Sequence, residues 1–247
     1  SAVLALVVSP TLIARYGLTG GYGYLVAGDL VAAFFVAYGF SRKLHAPVHA
    51  EGRPVGAPGR VKIVALCAAF LFSISNAGVQ TFLERIGVEG LGLSIQTLGK
   101  AMAIGASAAI FSPMLIIYLT NRVGRIPPIV VSGVLMSVCM LILALTSVAE
   151  TYLIAAALIM PLGVFMQPYV VGVVAALDPS GKLSAGLPAL SSIGFAIGPT
   201  LAGSAALVWG LNSVGIFSAV AVTLCVLFLL GPAYAADQGR YRPVSKS

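Results

Sequence analysis

Apolar residues along the 247-residue chain gather into eight long runs separated by short polar gaps, at about 1–14, 20–40, 62–82, 96–120, 126–148, 151–176, 184–208 and 211–235. A helix needs about 20 apolar residues to cross a hydrocarbon layer about 30 Å thick, so the pattern predicts an all-α polytopic membrane protein with eight transmembrane helices. Positive residues fall in every second gap. Arg42, Lys43, Arg53 and Arg60 lie in 41–61 with Lys62 at its edge, Arg122 and Arg125 in 121–125, Lys182 in 177–183, and Arg240, Arg242 and Lys246 in the tail. Lys and Arg concentrate in cytoplasmic loops, so these gaps and the C-terminus are expected to be cytoplasmic, in a membrane of the bacterial inner-membrane type. The first run holds only about 14 residues before Arg15, which predicts that the chain starts inside a helix and is a fragment of a longer reading frame.

Composition narrows the class. The chain is 59% hydrophobic and 9% charged, with a mean hydropathy of +1.04, which leaves too few polar residues to cover a water-facing surface. Its solvent is lipid, and membrane lipids are its predicted surroundings. The net charge of +7 is scattered over short loops, so it reads as a topology signal and not as a nucleic-acid footprint. Cys67, Cys139 and Cys225 fall within apolar runs as small apolar side chains. Tyr16, Tyr22, Tyr24, Tyr152 and Trp209 at outer helix ends, with Tyr38, Tyr118 and Tyr234 at inner ones, read as interfacial anchors.

A short repeat supplies the organisation. Pro10-Thr11-Leu12 in the first run returns as Pro199-Thr200-Leu201 in the seventh, followed by Tyr16-Gly17-Leu18 and Trp209-Gly210-Leu211, and then by Thr19 or Asn212 before a long apolar helix. Loop charges give the two helix pairs one orientation, so the repeat is parallel, about an axis along the membrane normal. On this basis the chain resembles the major facilitator superfamily, and the resemblance implies two parallel six-helix bundles of which the first is truncated. Residues 1–40 would be the last two helices of the N-terminal bundle, 41–61 the cytoplasmic linker, 62–235 the C-terminal six-helix bundle and 236–247 a cytoplasmic tail. The stretch Leu119-Thr120-Asn121-Arg122-Val123-Gly124-Arg125 is similar to the family's G-x-L-x-D-R-x-G-R-R loop, with Asn121 in place of the Asp and Ile117 in place of the first Gly. The resemblance implies a gating loop of Asn121, Arg122, Gly124 and Arg125 that ties inner helix ends together in the outward-open state. Topology setting by two arginines is the competing reading.

Further candidates come from glycine, proline and polar groups within the runs. Gly194, Gly198 and Pro199 form a face of small residues that lets a second helix approach closely, and the resemblance makes this a packing and gating helix paired with the run that contains Pro113. Asp29 lies near the middle of the second run, where a carboxylate costs at least about 2.5–3.5 kcal/mol. It is either a proton-coupling group or a protonated acid that fixes packing. Asn76 and Gln80 share a helix face at i, i+4, and Gln167 and Tyr169 sit beside Pro161 and Pro168 in a run predicted to be broken. The resemblance makes both helices cavity-lining, so these four are the substrate-binding candidates; interhelical hydrogen bonding is the alternative. Asp178 or Ser180 is expected to cap the following helix.

The function expected from this reading is secondary active transport of a small organic solute by alternating access, with protons as coupling ion and efflux slightly favoured over uptake. No catalysis, cofactor, metal or nucleic-acid partner is implied, and a monomer is expected. Two alternatives stay open: a non-transporting remnant, and a membrane-embedded channel or binding protein.

Overall fold

The computed structural model describes residues 57–237. The predicted helices at 1–14 and 20–40, Asp29, most of the linker and residues 238–247 lie outside the described residues. Seven α-helices follow one another without a strand among the described residues: α1 (Gly59–Arg85, extended by a π-helical turn over Ile86–Gly90), α2 (Ile95–Ala109), α3 (Ser112–Val123), α4 (Ile126–Leu145), α5 (Ala149–Leu177), α6 (Lys182–Trp209) and α7 (Asn212–Asp237). Five are long and apolar enough to cross a bilayer, and α2 with α3 makes a sixth crossing bent by 40°. Six of the eight apolar runs therefore coincide with candidate spans, the bent pair counted as one, as suits a lipid-embedded backbone that must satisfy its polar groups within its own segment.

Contacts between ends fix the directions. The Ala57 amide donates to the Leu177 carbonyl at 3.0 Å while the Tyr152 hydroxyl donates to the Leu83 carbonyl, so α1 and α5 are antiparallel. Ser73 lies against Gly194 and Phe82 against Gly203, so α1 and α6 advance together. Helices α1, α4 and α6 thus run one way, and α2–α3, α5 and α7 the other. The alternation gathers Arg60, Lys62, Arg122, Arg125 and Lys182 at one end, called here the Arg125 end, and leaves Arg85 and Lys100 at the opposite, Arg85 end.

Local chemistry explains most boundaries. Ser94 caps α2 by accepting from the Thr97 amide at 3.1 Å. Gly124 ends α3 at φ 74°, ψ −162°, a conformation with positive φ that only glycine adopts freely. Asp178 accepts from the Leu183 amide at 3.0 Å and so satisfies a donor of the first turn of α6, as its place in the loop suggested. Two expectations are corrected. The run 96–120 is not one straight helix: tight turns at Ile110 and Phe111 end α2, and Pro113 stands in the first turn of α3, where its missing N–H costs nothing. Conversely, α5 is not broken by proline, since it stays helical through Pro161 and Pro168; in a membrane bundle neighbouring groups absorb the carbonyls that proline frees.

The core runs along α1, which packs against α7, α6 and α5, with α4 set between α5 and α7. Small residues bring the helices together. A side chain on Gly198 would meet the Ile74 carbonyl at 2.7 Å and Ala77 at 3.1 Å, and one on Gly194 would meet Ser73 at 2.7 Å. The glycine face of α6 is therefore closely packed against α1. On the outside, α4 presents Val131, Val134, Leu135 and Val138 and α7 presents Ile216, Val220 and Leu227. These apolar stripes on the outer surface suit a protein whose solvent is lipid.

Candidate functional site

Asn76 sits near the middle of α1 and is buried. Its side-chain carbonyl accepts a hydrogen bond from the Gln80 amide nitrogen one turn on. The other side of the Asn76 amide faces α5 at Gly163, where a side chain would come within 3.0 Å of Nδ2. Gly163 is the central residue of the 29-residue α5, so this meeting point lies at mid-depth. Gln167 follows Gly163 by one turn on the same helix face and is exposed, as is Gln80. Three of the four substrate-binding candidates thus collect around one uncharged patch between α1 and α5.

Tyr169 does not join them. It lies on the other side of α5, buried, with its ring 5.3 Å from that of Phe165 and its hydroxyl accepting from Thr120 Oγ1 of α3 at 3.1 Å. Six residues beyond Gly163 are about one and two-thirds turns of helix, which leaves Tyr169 about 120° around the axis from Gly163 and away from Asn76. The expectation placed it with Gln167 because the two flank Pro168 in a run predicted to be broken.

Nearer the Arg85 end a separate depression of about 570 Å³ lies between α1 and α6, lined by Phe82, Arg85, Glu89, Thr200 and Ser204 among others. Arg85 and Glu89 pair there at 2.8 Å on the surface.

The loop between α3 and α4 differs from its expected form in one respect. Arg125 is held by Asp237 at the end of α7: its backbone amide donates to Oδ2 at 3.1 Å, its Nε lies 3.8 Å from Oδ1, and its Nη1 donates to the Gly172 carbonyl of α5 at 3.3 Å. A carboxylate does meet this loop, but it comes from Asp237 and not from position 121. Gly124 leaves room for it, since a side chain there would touch Asp237 Oδ2 at 3.2 Å. The sequence carried no local sign of this partner, which is 112 residues away. Arg122 lies 4.7 Å over the Tyr118 ring and has no carboxylate partner among the described residues.

A second link closes the same end. Asp178 Oδ1 accepts from Lys62 Nζ at 3.1 Å and from Ser180 Oγ at 2.9 Å. The Leu183 amide is the main cause that holds this carboxyl at about 2, opposed by burial and assisted by Ser180 and Lys62. Lys62 stood at the edge of a basic gap, and Asp178 was legible only as a cap.

Residues 1–182 match the sequence profile described as Major Facilitator Superfamily. No curated protein sequence matches the chain significantly.

Proposed function

The chain belongs to the major facilitator superfamily and is an integral membrane protein of the transporter class; from that premise we propose that it is a secondary active transporter of a small organic solute, working by alternating access. The bundle 62–235 moves as one half of the carrier in this reading, residues 1–40 belong to the other half, and 41–61 joins them. The observation that carries the substrate side is the Asn76–Gln80 pair set against Gly163 at mid-depth, with Gln167 exposed one turn away. Uncharged amides at the middle of two adjacent helices bind a solute by hydrogen bonds without the cost of a buried charge. Tyr169, turned toward α3, acts in this reading by orienting α3 against α5. Orientation follows from the basic residues: five of the seven described Lys and Arg lie at the Arg125 end, which we assign to the cytoplasm together with the C-terminus.

In the same reading Asn121, Arg122, Gly124 and Arg125 form the gating loop, with Asp237 taking the part of the missing acid, and Asp29 couples transport to protons in the efflux direction. Among the described residues the polar groups around Asn76 are uncharged amides, which supports a neutral or weakly polar solute. The protein acts as a monomer surrounded by lipid.

The test is counterflow of a solute panel into proteoliposomes containing the complete reading frame. N76A and Q167A are expected to lower saturable transport at least about tenfold, the effect of losing one or two hydrogen bonds to a bound solute, while Q96A, at the start of α2, leaves it unchanged. Wild-type transport by both N76A and Q167A would remove the substrate assignment. For coupling, D29N that keeps both its rate and its pH dependence would remove Asp29.

A further inference from the structure

A crevice of about 710 Å³ separates α3 from α4 and α5, and its walls are almost wholly apolar, with Phe111, Leu115, Leu119, Leu135, Leu158 and Phe165 among them. It exists because α3 is the loosest helix of the bundle. The break at Ile110 and Phe111 turns it by 40° from α2, and it touches only α4 and α5 to any extent, both lightly. The crevice is not enclosed. Leu115, Val131, Leu135 and Leu158 line it and are also among the exposed apolar residues, so it opens sideways to the outer apolar surface of the described bundle.

One stripe of α3 connects this crevice to charge. Phe111, Leu115, Tyr118 and Arg122 recur at i, i+4, i+7 and i+11, the spacing of a single helix face. Phe111 and Leu115 line the crevice. Tyr118 is exposed and carries the Arg122 guanidinium against its ring at 4.7 Å. From Phe111 to Arg122 the helix rises about 16 Å, close to the roughly 15 Å depth of the hydrocarbon of one leaflet. The stripe therefore has the length of one acyl chain, and it ends where the phosphate of that chain's headgroup would lie.

We infer that the crevice between α3, α4 and α5 binds one anionic phospholipid from the leaflet at the Arg125 end, its acyl chain along Phe111 and Leu115 and its phosphate on Arg122. The chain fills space that α3 leaves open, and the phosphate meets the one loop arginine that has no described carboxylate partner; Arg125, its neighbour, is held by Asp237. A guanidinium donates two parallel hydrogen bonds to a phosphate, and Tyr118 orients it while it does so. The occupant ties the end of α3 to the bilayer next to the loop that joins it to α4. This binding is independent of the solute patch at Asn76, and either reading can fail without the other.

The experiment is native mass spectrometry of the full chain released from nanodiscs containing equal dioleoyl phosphatidylglycerol and dioleoyl phosphatidylcholine. Retention of phosphatidylglycerol over phosphatidylcholine by about fivefold is expected, the weight of one arginine near an anionic surface. R122Q should abolish that preference, R122K should keep most of it, and R60Q, at the start of α1, should leave it intact. L158W, which fills the crevice from an exposed position, should lower retention of both lipids, with L135W as a second filling variant should the first not fold. Soluble glycerophosphoglycerol should not displace the lipid. Equal retention of the two lipids by the unaltered chain overturns the inference whatever the variants do. So does a preference that survives R122Q or is lost equally in R60Q, retention indifferent to both filling variants, or displacement by the headgroup alone.

Discussion

The two ends of the bundle are built differently. Among the described residues five basic ones stand at the Arg125 end with two acidic ones, Asp178 and Asp237, and each acid joins segments far apart in the chain: Asp178 ties Lys62 of α1 to the turn between α5 and α6, and Asp237 ties the end of α7 to the start of α4. At the Arg85 end two basic residues stand with Glu84, Glu89 and Glu150, and the ion pair found there, Arg85 with Glu89, lies within one helix turn and is open to solvent. That end is held instead by packing and by the buried Tyr152, whose hydroxyl reaches the Leu83 carbonyl and whose ring fills the space beside Gly87. Charge thus does structural work where it crosses between helices and little where it stays on one. The end that carries the basic excess is also the one where α1, α4, α5, α6 and α7 are fastened to each other, so these five are expected to move as a unit there, with α3 left outside these charged links.

This contrast is open to direct attack, and the largest effect is expected at Asp178. D178A removes the acceptor of Lys62, Ser180 and the Leu183 amide together, and should cost roughly 2 kcal/mol of stability, near the value of a hydrogen bond to a charged group. The thermal midpoint in detergent checks it. The same carboxyl titrates at about 2 in the folded chain against an ordinary 3.8. The unfolded state holds the proton more tightly, so the stability it contributes is complete above about pH 4 and is lost as pH falls toward 2. Midpoints of the unaltered chain should drop across that window, and those of D178N should drop less.

A somewhat smaller loss is expected for G124A, about 1–2 kcal/mol, because alanine is strained at positive φ and its methyl group crowds Asp237; the midpoint should fall while transport by surviving protein slows. D237N keeps the shape and loses the charge of a partly exposed pair, so it should cost no more than about 1 kcal/mol. A disulfide trap between the ends of α4 and α7 would show whether the loop also loosens. Smallest of all, E89Q at the opposite end should leave the midpoint unchanged. A drop for E89Q as large as that for D178A would erase the distinction between the ends.

Much of the scaffold was legible because lipid leaves the backbone few choices. The runs 126–148 and 184–208 became Ile126–Leu145 and Lys182–Trp209, within three residues at each boundary. The small-residue face of Gly194 and Gly198 announced a close helix crossing, although nothing local to it named α1 as the partner. The amide pair Asn76 and Gln80 was readable from i, i+4 spacing, and the structure adds its contact with Gly163. Tyr169 stands apart from Gln167 because residues two apart in sequence lie on different helix faces. Asp237 was missed altogether: a carboxylate at the end of the last apolar run looks like the start of a solvated tail, and its role depends on a fold that brings α7 back to α4. Pro113 and Pro168 show how position decides what a proline does, since one follows a break in the hydrogen-bond ladder and the other sits within a helix whose neighbours tolerate it.

The break before α3 also bears on how this crossing forms. Proline brings no hydrogen to the ladder, and the turns at Ile110 and Phe111 close α2 upon itself, so hydrogen bonding does not propagate from one half into the other. Each half must be nucleated separately. With 12 residues, α3 is at the margin of what sustains a helix alone in water, and few neighbours support it in the bundle. The route through the bilayer is continuous, but cooperativity stops halfway along it, so α3 can melt and re-form while α2 stays in place.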